Sequence, residues 1–67
     1  MTENELEFEI IIEKSADNVT SFTINEEEVM YILDQIKYNQ PFVIQVDNSF
    51  FCYSPNNCIA IEIKPIK

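Results

Sequence analysis

Residues 24–37 read Ile-Asn-Glu-Glu-Glu-Val-Met-Tyr-Ile-Leu-Asp-Gln-Ile-Lys, the one stretch with helical spacing in a chain that otherwise alternates. Asn25 is a favoured N-cap, because its side-chain oxygen can accept an orphan backbone N–H of the first turn. Glu28 follows at the spacing of a capping box, with Asn in place of the usual Ser or Thr. Glu26, Glu27 and Glu28 fill the first turn, where the helix dipole favours negative charge. Ile24 and Val29 occupy the hydrophobic-staple positions on either side of the start. Val29, Ile32, Leu33 and Ile36 then form one apolar stripe at i, i+3, i+4 and i+7. Lys37 sits in the last turn, and Pro41 cannot continue a helix, so the helix is expected to end near Tyr38–Asn39.

Working outward, both flanks read as strands. Leu6, Phe8, Ile10 and Ile12 alternate with Glu5, Glu7, Glu9, Ile11 and Glu13, which places one face in a core and one in solvent. A polar turn over 14–18 leads into Val19–Ile24, a second strand rich in β-branched residues, so the first two strands are expected as an antiparallel hairpin. After the helix, Phe42, Ile44 and Val46 alternate with Val43, Gln45 and Asp47. Asp47-Asn48-Ser49 supplies turn chemistry, since Asp and Asn tolerate positive φ. Phe50–Tyr53 reads as a fourth strand, Ser54–Asn57 as a turn, and Ile59, Ile61 and Ile63 as the buried parity of a fifth. The order β-β-α-β-β-β predicts an α+β domain: a five-stranded antiparallel sheet with the helix packed on one face.

The chain has 67 residues, so it is expected to be a single domain, residues 1–67, with residues 1–4 as a flexible lead. A domain this short buries only about 60% of its unfolded surface, and its stability margin is thin. Hydrophobic residues make up 46% of the chain, enough for a packed core and too many for disorder. The longest apolar run, Ile10–Ile12, is far too short to span a membrane. Residues 1–5 show no basic and apolar signal-peptide pattern, so a cytoplasmic location is the expectation.

Net charge is −8, from twelve acids and four lysines, with no Arg and no His. Direct nucleic-acid binding through phosphates needs clustered Lys and Arg and is not expected. Glycine is absent altogether. The phosphate-binding loop, the dinucleotide fingerprint and the nucleophile elbow all need glycine for close backbone approach, so none can form. Without His there is no ordinary general base near neutral pH and no imidazole metal ligand. The expectation is therefore a protein that is not an enzyme and uses no cofactor or metal. Cys52 and Cys58 flank the Pro55 turn, where a tight hairpin would place them within disulfide reach. The alternative, two reduced thiols in small apolar sites, agrees better with a cytoplasmic setting. Two thiols alone make a poor zinc site.

Three features could carry binding. First, Glu5, Glu7, Glu9 and Glu13 project from one strand face, the first three roughly 6.6 Å apart at two residues' rise and Glu13 two such steps beyond Glu9. Glu26, Glu27 and Glu28 extend this array if the helix start lies near that strand. Carboxylates at such spacing can imitate a phosphate backbone and occupy a basic groove on a protein partner. The competing explanation is structural: a solvated strand face, with charges on an edge strand that prevent aggregation. Second, Ile11, Val19, Met30, Tyr31, Val43 and Phe50 fall off the parity or stripe that packs helix to sheet. They could coalesce into a patch used for self-association, with a homodimer as the simplest outcome. Third, Tyr31, Tyr38, Tyr53 and the turn asparagines could line a small-molecule pocket between protomers, and the apolar patch could instead dock a subunit into a larger assembly.

Pro41-Phe42-Val43-Ile44 after a short helix, and Pro55-Asn56-Asn57-Cys58-Ile59-Ala60-Ile61-Glu62-Ile63 at the end, carry a resemblance covering Val29–Lys64, more than half of the chain. The pattern resembles small proteins of Gram-positive phages and other mobile elements. Some small acidic proteins of that kind resemble inhibitors of host nucleases, glycosylases or defence complexes. The resemblance implies a host-takeover or anti-defence binder and carries over no catalytic or binding residue. The leading expectation is an acidic binding protein that inhibits or modulates a basic, nucleic-acid-binding host protein.

Overall fold

The computed structural model describes residues 6–66. The expected lead, residues 1–4, and the first carboxylate of the row, Glu5, lie outside the described residues. The elements follow the order β1 (Glu7–Ser15), β2 (Asn18–Asn25), α1 (Glu26–Lys37), β3 (Phe42–Val46), β4 (Ser49–Tyr53), a 3-10 turn (Pro55–Asn57) and β5 (Ala60–Pro65). The fold is α+β.

The hairpin and the helix form as their sequences dictate. β1 and β2 pair antiparallel from Glu7↔Asn25 to Ser15↔Asn18, with an irregularity between Glu13 and Ser15. Asn25 Oδ1 accepts the Glu28 N–H at 2.8 Å and Glu28 Oε1 accepts the Asn25 N–H at 2.9 Å, so the capping box is complete. At the other end Asn39 takes a φ of 58°, the left-handed conformation that usually falls to glycine. There Asn39 N–H donates to Ile36 O at 3.0 Å and Gln40 N–H to Gln35 O at 2.8 Å, which satisfies the last helical carbonyls. Asp47 does the same service in the β3–β4 turn with a φ of 56°.

The expected single five-stranded sheet is not what forms. The structure has a three-stranded sheet in the order β2-β1-β5 and a separate two-stranded sheet of β3 and β4. Instead of continuing a meander from β4, the chain leaves through the 3-10 turn, and β5 returns to β1, pairing Phe8↔Pro65 through Glu13↔Ala60. The physical reason is that alternation fixes which face of a strand is apolar but not which strand lies beside it. The Ile61/Ile63 stripe finds the Ile10/Ile12 stripe, whose other side is already taken by β2. Ile59, placed by its parity in the buried stripe, instead precedes β5 and is 66% exposed, while its N–H donates to Glu13 O at 2.7 Å.

The core lies between the two sheets and the helix. Ile10, Ile12, Ile24, Val29, Ile32, Phe42 and Ile44 are buried, with Phe8, Phe22, Ile36, Tyr53, Cys58, Ile61 and Ile63 packed around them. Phe22 meets Phe51 and Tyr53 at ring-centroid distances of 5.2 and 6.1 Å, which joins the small sheet to β2. Leu33 departs from the expected stripe and is 49% exposed.

Candidate acidic binding face

β1 is the central strand of its sheet, so its side chains point either into the core or onto a face flanked by β2 and β5. Phe8, Ile10 and Ile12 point inward. Glu7, Glu9, Ile11 and Glu13 share the other face. On the β2 side their partners are Asn25, Thr23, Ser21 and Val19. On the β5 side Glu9 faces Lys64, Ile11 faces Glu62, and Glu13 faces Ala60. Core and helix lie on the opposite side of the sheet, and the flanking residues Val19, Ser21, Thr23, Ala60, Glu62 and Lys64 are exposed. The carboxylate row is thus displayed along the middle of an open face. From Glu7 to Glu13 it runs roughly 20 Å at the rise of an antiparallel strand.

The helix start meets this row at one end only. Asn25 is both the helix cap and the cross-strand partner of Glu7, so α1 begins beside Glu7 while Glu13 lies at the far end of β1. Glu26 and Glu27 are exposed there. Glu28 is committed to the cap, and its carboxylate is a structural element first. Glu62 joins the face from β5, a residue that strand parity alone could not place because the β5–β1 pairing is not legible in the sequence. Among the described residues, lysines leave most of the face uncompensated. Lys14 Nζ lies 5.9 Å from the Tyr53 ring centroid and Lys37 Nζ 5.5 Å from that of Tyr38. Among the described residues, Lys64 is the lysine that sits on the face, opposite Glu9.

The residues expected to form a self-association patch are distributed over several elements. Ile11 and Val19 lie on the acidic face, Ile11 half-buried and Val19 exposed. Val43 and Phe50 share the outer face of the small sheet, with Cys52 opposite Val43. Tyr31 uses its hydroxyl to accept the Val43 N–H at 3.3 Å, capping the open edge of β3. Met30 is exposed on α1. Of the tyrosines expected around a small molecule, Tyr53 packs against Phe42 with ring centroids 6.0 Å apart, and Tyr38 caps the helix C-terminus in solvent. Both cysteines are free thiols: Cys52 is exposed, and Cys58 is half-buried with its thiol donating to Ser54 O at 3.4 Å. No group of three or more His, Cys, Asp or Glu could hold a metal ion among the described residues.

A cleft with no signature in the strand and helix periodicities opens between α1 and β5. Its volume is about 320 Å³, and Leu33, Ile36, Pro55, Cys58, Ile61 and Ile63 line it. None of the three tyrosines contributes to it. No helix among the described residues is long and apolar enough to cross a membrane.

No family model, curated protein or solved structure matches the chain.

Proposed function

We propose that the protein is a non-enzymatic binding module that offers its acidic sheet face to a basic surface on a protein partner. The observation that supports this most is the position of the row on a central strand. Charges on an edge strand guard against sheet-to-sheet aggregation, but β1 is paired on both sides. Glu is also poorly suited to strand interiors. Glu7, Glu9 and Glu13 therefore stand where neither edge protection nor β-propensity calls for them.

With β1 held by strands on both sides, its backbone needs no ordering at the moment of binding and only the Glu side chains lose rotamer freedom, which favours affinity. Long-range charge steers a basic partner towards the face and raises the association rate. The contact set is Glu7, Glu9 and Glu13, with Glu26 and Glu27 at the Glu7 end. In this reading the partner is a nucleic-acid-binding protein whose basic groove accepts the row in place of a phosphate backbone. The resemblance to proteins of Gram-positive phages and mobile elements extends the reading to inhibition of a host or defence protein.

The experiment is charge reversal with Glu7→Lys and Glu9→Lys together. Binding to the partner should fall by about a hundredfold or more, and wild-type binding should weaken steeply with salt. Unchanged binding by the double variant would reject the reading.

A further inference from the structure

We propose that β5 is a dimerisation edge: two copies pair their β5 strands antiparallel about a twofold axis through Ile63, and the two α1–β5 clefts close against each other. This stands on β5 and the cleft, independently of the acidic-face reading.

The backbone of β5 is prepared for a second strand. Ile66 N–H donates to Glu7 O at 2.9 Å, so Ile66 faces β1. Antiparallel strands alternate the direction of their backbone groups, so Lys64 and Glu62 also face β1, and Ile61, Ile63 and Pro65 face the open side. Pro65, which has no N–H, occupies a position where the existing sheet needs none. Among the described residues no strand pairs with the outer edge of β5, where the N–H and C=O groups of Ile61 and Ile63 form an arrangement that templates strand addition.

The charges on β5 select a second copy as the occupant, and they select one register. With Ile63 opposite Ile63, Glu62 of each copy lies across from Lys64 of the other. The two Ile63 residues then exchange N–H···O bonds, and each Ile61 N–H reaches the Pro65 carbonyl of the other copy, while each Ile61 carbonyl has no proline N–H across the seam and keeps to water. Shifting the register by one residue per strand either way brings Glu62 opposite Glu62 or Lys64 opposite Lys64, and directly opposed like charges destabilise a strand pair. The strand is therefore complementary to itself in one register and self-repelling in the neighbouring ones.

Side-chain burial agrees with this. In that register Ala60 faces Ile66 of the other copy, a small residue under an exposed large one. On the core side, Ile63 meets Ile63 at the axis. There the cleft and the 49%-exposed Leu33 of each copy come together, so the apolar surface left open in one copy is covered by the same surface of the other.

The net charge of −8 per chain opposes association. The two β1 rows would be separated by three strand spacings, roughly 14 Å, well beyond the screening length of about 8 Å at physiological salt. The assembled sheet would run β2-β1-β5-β5-β1-β2 and carry both acidic rows on one continuous face.

Sedimentation velocity from roughly 1 to roughly 500 µM, together with native mass spectrometry, tests the proposal. A monomer–dimer equilibrium is expected. Glu62→Lys and Lys64→Glu each place like charges across the axis and should each raise the dimer Kd by about tenfold or more. The double variant Glu62→Lys/Lys64→Glu regenerates opposite-charge pairs in the same register and should return the Kd close to the wild-type value. All these substitutions are at exposed positions, and circular dichroism verifies that each variant is folded. Monomer at every concentration would overturn the proposal, as would a dimer indifferent to either single reversal or a double variant as weak as the singles. A monomer carrying a small apolar molecule in the cleft would also overturn it. Glu9 faces Lys64 across the β1–β5 pair, so the dimer is measured on chains that keep Glu7 and Glu9, and failure of the dimer and failure of the acidic-face reading are read separately.

Discussion

If the carboxylate row serves binding rather than folding, removing one of its members should make the domain more stable. Glu13 is the cleanest position. Its cross-strand partners are Val19 and Ala60, so no lysine lies opposite it. The nearest carboxylate on the same face is Glu62, one step along β5 from Ala60 and hence a diagonal neighbour roughly 7–8 Å away. Two unit charges at that distance in water repel by about 0.5 kcal/mol. Replacing Glu by the strand-favouring Thr adds a gain that can reach about 0.5 kcal/mol on a scale spanning about 1 kcal/mol. Glu13→Thr should therefore stabilise the fold by about 1 kcal/mol, which raises Tm by roughly 4–8 °C in a domain of this size. The assay is a thermal melt followed by circular dichroism at low salt and at about 1 M salt, where the screening length falls to about 3 Å. The Coulombic half of the gain should vanish at high salt and the propensity half should remain. A loss of stability at low salt would refute the reasoning, because Glu13 would then be a structural residue.

Other consequences follow from single contacts. Asn25→Ala removes the cap of α1 and should cost about 1 kcal/mol, measured as a lower urea midpoint with an unchanged slope. Tyr31→Phe leaves the Val43 N–H without its hydroxyl acceptor, and a loss of about 0.5–1.5 kcal/mol in the same assay is expected. Ile32→Ala opens a cavity at a position only 1% exposed; the cost of about 2–5 kcal/mol is a large part of the roughly 3–10 kcal/mol that holds a chain of this length, so a mostly unfolded protein at 37 °C is expected by circular dichroism. A thiol reagent should label Cys52 well before Cys58, as read by mass spectrometry over time, because Cys52 is exposed and Cys58 is half-buried.

Local structure was largely legible in the sequence. The capping box of Asn25 and Glu28, the helix end before Pro41 and the positive φ at Asp47 all come from interactions within a few residues. The division of β1 into apolar and acidic faces came from period two alone. Strand partnership was not legible, since nothing in the alternation of Ile61 and Ile63 distinguishes β4 from β1 as a neighbour. That misplaced β5, put Cys52 and Cys58 in a hairpin that does not exist, and hid both Glu62 on the acidic face and the cleft beneath Leu33. The position of Glu7, Glu9 and Glu13 on a central strand was hidden for the same reason, although it is the observation on which the functional reading turns.

The most direct measurement of that reading is a pull-down from cell extract with wild-type and Glu7→Lys/Glu9→Lys baits, washed at about 0.05 M and about 0.5 M salt and read by mass spectrometry. A basic, nucleic-acid-binding protein is expected on the wild-type bait at low salt, released at high salt and absent from the variant. The same captured proteins on both baits, retained equally at both salt concentrations, would contradict it.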